Sequence, residues 1–127
     1  MIIAIDGPAG SGKSTTAKLL AEKLNFIYLD TGAMYRAVTF YFLENSISLK
    51  DSEKVNQALS EINLSIQFHN KFEVYINDKN VDQDIRSSRV NDFVSFVSQI
   101  DLVRKKMVEI QRKFSENRNI VIEGRDI

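Results

Sequence analysis

Gly7-Pro8-Ala9-Gly10-Ser11-Gly12-Lys13-Ser14, followed by Thr15, fits G-x-x-x-x-G-K-[ST] at every position. Each residue type in that spacing has a chemical use. Glycines let the backbone wrap closely enough for amide N–H groups to point at phosphate oxygens. A helix starting behind the loop offers its N-terminus and dipole to the same anion. The Lys13 ammonium can reach the β and γ phosphates of a nucleotide, and the Ser14 hydroxyl is a hard oxygen ligand suited to Mg²⁺. The motif therefore predicts a nucleoside triphosphate site, but GTPases, ATPases and small-molecule kinases all share it. A GTPase would need a base-reading Asn-Lys-x-Asp segment, and the sequence has none.

A second set of candidates lies at the ends of apolar runs. Asp6 ends Ile2–Ile5, Asp30 ends Phe26–Leu29 and Glu123 ends the run from Asn119. Proteins with this loop often place an acid near Mg²⁺ at such a strand end, directly or through water, which makes Glu123 the candidate second ligand. Asp6 and Asp30 could serve the metal or simply cap a loop. Arg36, read alone, is an ordinary solvated helix arginine. Tyr35 lies at helical spacing with core residues, and the Lys105-Lys106 pair reads as a solvated helix face. His69 falls in a turn and is given no catalytic role.

The elements that would position these groups follow from periodicity. Ile2–Ile5 reads as a buried strand, and Ala17, Leu20, Ala21 and Leu24 predict a helix from about Gly12 to Leu24. Phe26–Leu29 is a second strand. Thr31 is expected to cap a helix whose apolar face holds Met34, Ala37, Val38, Tyr41 and Phe42. Strand, helix, strand, helix argues for a parallel sheet with right-handed crossovers. A short helix carries Val55, Leu59 and Ile62. Leu64-Ile66-Phe68 and Phe72-Val74-Ile76 then alternate with polar residues around a turn at His69-Asn70-Lys71. A second turn at Asn77–Asn80 leads to a short piece near Val81, completing a small antiparallel sheet inserted into the α/β core. Helical spacing returns at Val90, Val94 and Val97. Asp101 is expected to cap a further helix bearing Val103, Met107, Ile110 and Phe114, before the strand Asn119–Glu123. Residues 1–50 are thus read as the phosphate-binding core, 51–86 as the inserted subdomain and 87–127 as the return to the core.

Taken in order, Asp6–Thr15, Leu29-Asp30-Thr31-Gly32-Ala33-Met34-Tyr35-Arg36, Ile85-Arg86-Ser87 and Gly124-Arg125-Asp126-Ile127 resemble the successive signatures of bacterial cytidylate kinases. The resemblance runs along essentially the whole chain. It implies a P-loop nucleoside monophosphate kinase that moves a phosphoryl group from ATP, with Mg²⁺, to CMP and dCMP. It implies that the inserted sheet is the family's enlarged CMP-binding domain. Arg36 and Arg125 match the family's acceptor-phosphate arginines, a role that suits the two parallel hydrogen bonds of a guanidinium fork. Thr31 would add a hydroxyl to the same phosphate. Ser95, Arg104 and Asp126 match the positions that read cytosine. Ser and Arg can donate to O2 and N3, and an ionised Asp can accept from the 4-amino group. Uracil would set its O4 against that Asp, acceptor against acceptor. Many resembling proteins carry Asp where this chain has Glu123, and Arg86 matches a motif position without an assigned contact. Another small-molecule kinase and a non-catalytic nucleotide-binding module are the competing readings.

Composition bounds these readings. Of the 127 residues 43% are hydrophobic and 27% charged, which fits one packed domain and argues against global disorder. Zero net charge without a basic stripe argues against nucleic acid as a partner. Absence of cysteine excludes thiol catalysis and thiolate metal sites, and a single histidine cannot make a histidine cluster. The opening apolar run is too short for a membrane span and lacks a signal peptide's basic start. A cytoplasmic, monomeric protein is expected. The stop four residues after Glu123 gives the expectation of a longer parent whose lid and last elements follow, with these 127 residues alone weakly active or inactive.

Overall fold

The computed structural model describes residues 1–7, 12–68 and 70–124. Among them, β1 (Ile2–Asp6), α1 (Lys13–Leu24), β2 (Ile27–Asp30) and α2 (Thr31–Glu44) form the expected opening alternation. After α3 (Ser52–Glu61) come the short strands β3 (Leu64–Phe68), β4 (Phe72–Ile76) and β5 (Lys79–Asn80). A 3₁₀ turn (Asp84–Arg86), α4 (Ser88–Val97), α5 (Asp101–Ser115) and β6 (Ile120–Gly124) complete the described chain.

The last strand goes to the middle. β6 pairs in parallel with both β1 and β2, giving the order β1-β6-β2. Its burial explains its composition: Ile120 and Val121 are fully buried and Ile122 nearly so, the continuous apolar run of a strand covered on both faces. Side chains alternate between those faces. Val121, Ile3, Ile5 and Tyr28 join Ala17 and Ala21 of α1, whose small side chains let the helix approach the sheet. Leu29, Ile120 and Ile122 point the other way, into the larger core built with α2 and α5.

Two junctions at the ends of the first helix show why it begins and ends where it does. Gly12 precedes α1 at φ 83°, in the left-handed region that glycine enters without a Cβ penalty. Asn25 closes α1 at φ 56°. Its N–H donates to the Glu22 carbonyl and the Phe26 N–H to the Ala21 carbonyl, the paired bonds of a Schellman motif that turn the chain into β2.

The inserted antiparallel sheet has the order β3-β4-β5, with Leu64 opposite Ile76 and Phe68 opposite Phe72. Asn77 and Asp78 both have positive φ, the type I′ geometry of a two-residue hairpin. The second turn is therefore shorter than Asn77–Asn80: Lys79 and Asn80 pair with Ile76 and Tyr75. This sheet shares one core with the rest, since Leu64, Val74 and Ile76 cluster with Phe42, Met107 and Ile120.

Two helix caps differ from the sequence expectation. Asp30, not Thr31, caps α2: its Oδ1 accepts from the Ala33 N–H at 3.1 Å, and Thr31 is the first helical residue. Asp101 is likewise inside α5. The cap position falls on Ile100, and no side chain caps the helix. Asp101 there faces the positive end of the helix dipole, a favourable place for a carboxylate, but it makes no capping bond.

Candidate functional site

The site forms where the parallel strands end. Glu123 stands in register with Ile5 on one side and Asp30 on the other, with α1 starting above it. It is only 3% exposed. A buried carboxylate must have partners, and this one has several. Oε1 accepts from the Ser14 hydroxyl at 2.8 Å and from the Tyr28 hydroxyl at 2.8 Å. Oε2 lies 3.8 Å from the Lys13 Nζ. The backbone of the same residue is tied as well: Thr31 Oγ1 donates to the Glu123 carbonyl at 2.9 Å. Lys13, Ser14, Thr31 and Glu123, four residues singled out from the sequence, thus meet at one point.

Asp30 belongs to the same corner. Burial, and then the Glu123 charge, push its carboxyl above the ordinary aspartate range. The Ala33 and Gly32 N–H groups and the Lys18 charge pull it back only in part. A carboxyl raised by folding contributes its stability below the unfolded-state value and loses it as pH rises through the folded-state value. Asp30→Asn keeps an acceptor for the Ala33 N–H and removes a like charge opposite Glu123. It should stabilise the ligand-free chain at pH 7 by about 0.5 kcal/mol and flatten the stability profile above pH 4. Urea melts from pH 4 to 8 check this; equal slopes in both proteins would refute it.

Tyr28 was not apparent from sequence. In Phe26-Ile27-Tyr28-Leu29 it reads as one more apolar strand residue. The available signal was parity: residues 28 and 30 share a strand face, so Tyr28 had to lie on the side of Asp30 and α1. Burial, the Asp30 charge and the bond to Glu123 push its hydroxyl far above a tyrosine's usual value, so it stays a neutral donor. The Lys18 ammonium lies 5.6 Å from the ring centre and the Phe72 ring meets it edge-on at 6.3 Å.

The acceptor-side candidates lie along α2 and its neighbours. Arg36 follows Thr31 by five residues, roughly 7.5 Å along the helix. It is half-buried, and its Nη1 donates to Asn91 Oδ1 on α4. Asn91, also missed from sequence, precedes Ser95 by four residues, so the two share a face of α4. Ser95 is exposed. Arg104 on α5 is exposed and donates a hydrogen bond to the half-buried Tyr35; burial raises that phenol and the Arg104 charge and bond offset part of the rise. Pro8, Ala9, Gly10, Ser11, His69, Arg125 and Asp126 lie outside the described residues.

Two shallow hollows of about 660 and 480 Å³ run along α5 and include neither Lys13, Ser14 nor Glu123. The hydrogen-bonded convergence on Glu123 marks the site among the described residues. No helix among the described residues is long and apolar enough to cross a membrane.

A parallel sheet whose first strand runs toward a Gly-x-x-x-x-Gly-Lys-Ser segment, with the helix behind it supplying Lys and Ser to a strand-end acid, defines the P-loop class of phosphate-binding proteins. Within that class the chain belongs to the cytidylate kinase family, whose model matches residues 3–127. It is 54% identical over its whole length to the cytidylate kinase of Fusobacterium nucleatum, of which it covers 57%. It is 48% identical to the cytidylate kinases of Cytophaga hutchinsonii and Carboxydothermus hydrogenoformans, matched over all of this chain and over 56% and 58% of theirs. The chain therefore spans somewhat over half the length of these curated relatives.

Proposed function

We propose that this chain supplies the nucleotide-binding part of a kinase that transfers the γ-phosphoryl group of ATP to CMP and dCMP. The observation that carries this reading is the convergence of the Lys13 ammonium and the Ser14 hydroxyl on the buried Glu123 carboxylate, in a member of the cytidylate kinase family.

The donor set suits Mg²⁺. A hydroxyl oxygen, Ser14 Oγ, and a carboxylate oxygen, Glu123 Oε1, stand side by side, joined by a 2.8 Å hydrogen bond. Both are hard oxygens, and Mg²⁺ commonly takes one or two protein oxygens with water and phosphate completing its shell. Ser14 would ligate it, and Glu123 would do so directly or through water. Bound there, the ion supplies charge neutralisation to the β and γ phosphates.

The remaining chemistry falls to the chain's own residues. An oxygen of the CMP phosphate is already anionic, so transfer needs no general base. It forms a bond to the γ phosphorus while the bond to the β-bridging oxygen breaks, releasing ADP. Lys13 with Gly7–Thr15 holds the donor phosphates. Arg36, Arg125 and Thr31 hold the acceptor phosphate, Thr31 by exchanging its bond to the Glu123 carbonyl for one to the phosphate, and Ser95, Arg104 and Asp126 read the base. Arg36 leaves Asn91, or shares it, when a phosphate arrives: a charge-assisted bidentate bond is stronger than one to a neutral amide.

ADP release by the longest natural form of this chain, with CMP, dCMP, UMP and AMP compared, tests the reading. CMP and dCMP should exceed UMP and AMP by at least ~100-fold in kcat/KM. Equal rates with AMP would remove the cytosine assignment, and ATP binding without turnover would remove the kinase.

A further inference from the structure

We infer that Tyr28 is a positioning residue for the metal carboxylate, an inference that rests on the Mg²⁺ role proposed for Ser14 and Glu123. The argument is geometric. A glutamate has one more rotatable bond than an aspartate, so a strand-end Glu needs an added restraint to present one oxygen to Ser14 and the other to Lys13. Tyr28 supplies it: its hydroxyl donates to Glu123 Oε1, the oxygen that also receives the Ser14 hydroxyl. The phenol itself cannot wander. It is 6% exposed and sits on β2 opposite Val121 of β6. Phe72 of the inserted sheet meets its ring edge-on, and Lys18 lies over its face. The Lys18 charge also acts on Asp30, so the groups whose charges, bonds or rings bear on the phenol are Glu123, Asp30, Ser14, Lys18 and Phe72. Tyr28 and Ser14 thus fix Oε1 by two donated bonds, and the Ser14 hydroxyl oxygen keeps its lone pairs for a cation. Partners of metal ligands that fix their orientation commonly contribute 10–100-fold to metal affinity.

ATP affinity measured by calorimetry with Mg²⁺ and again in EDTA, for the wild-type chain and for Tyr28→Phe, tests the inference. Mg²⁺ should tighten ATP binding to the wild type, and Tyr28→Phe should lose about tenfold of that gain with its EDTA affinity unchanged. An equal Mg²⁺ gain in both proteins overturns the inference, as does an equal loss with and without Mg²⁺, which is the mark of a merely structural role. A wild type indifferent to Mg²⁺ overturns instead the metal reading beneath it. Should Tyr28→Phe fail to fold, ¹³Cζ-tyrosine NMR of the wild type replaces it. The tyrosine resonance that moves in Glu123→Gln should also move when Mg²⁺ is added to the ATP-loaded chain; its standing still overturns the inference.

Discussion

Lys13→Ala should reduce phosphoryl transfer by the longest natural form of the chain by roughly 10²–10³-fold, the usual cost of removing one preorganised charge donor from a transition state. Lys13 is 14% exposed at the side chain and lies 3.8 Å from Glu123 Oε2, so the ammonium is held in place before any nucleotide arrives. Preorganisation of that kind is why the loss should appear in kcat as well as KM. The substitution also strands a buried carboxylate, since Glu123 would keep its Ser14 and Tyr28 bonds but lose the cation beside its Oε2. Two effects are therefore expected from one change. Lys13→Ala combined with Glu123→Gln separates them: stability should recover while transfer stays low. Recovery of transfer in the double variant would show that Lys13 serves only to neutralise Glu123. Steady-state kinetics and thermal melts on the three proteins make the comparison.

The same corner shows what the sequence could and could not disclose. The Gly-rich loop, its lysine and serine, and the strand-end acid were legible because local spacing dictates them, and the structure brings Lys13, Ser14 and Glu123 together. The alternation of Leu64-Ile66-Phe68 and Phe72-Val74-Ile76 likewise announced a hairpin that forms in that register. Partnerships across long separations were not legible. Thr31 and Asp30 are both good capping residues by type, and neither propensity nor spacing chooses between them. The choice comes from Glu123, whose carbonyl takes the Thr31 hydroxyl and leaves Asp30 to reach Ala33. Arg36 and Asn91 are 55 residues apart, and Tyr28 and Glu123 are 95 apart. A hydroxyl on a buried strand residue has no periodicity, so its role appears only once the sheet is assembled.

The second large effect concerns the helix that joins the two halves of the site. α2 begins at the Asp30 cap beside Glu123, carries Arg36, and packs against β4, β6, α4 and α5. Its inward face, Met34, Ala37, Val38 and Phe42, is essentially fully buried, with Phe42 at 2% exposure. Phe42→Ala should cost about 3–5 kcal/mol, from lost transfer energy and the cavity left behind. Against a domain stability of roughly 5–15 kcal/mol, that is a large share. For a chain of this length it should lower the melting midpoint by some 10–20 °C. The distribution of the loss matters as much as its size. Phe42 belongs to one cluster with Leu64, Val74 and Ile76 of the inserted sheet and with Leu29, Ile120 and Ile122 of the parallel sheet. We therefore propose that residues 51–86, read from the sequence as an inserted subdomain, do not unfold apart from the core. Hydrogen exchange should show β3–β4 and β6 amides losing protection together in Phe42→Ala. Protection retained by the β3–β4 hairpin after β6 has exchanged would show that the insert is a separate folding unit. Arg36 would then ride on a junction between two bodies, where a single continuous core implies that it is carried by one.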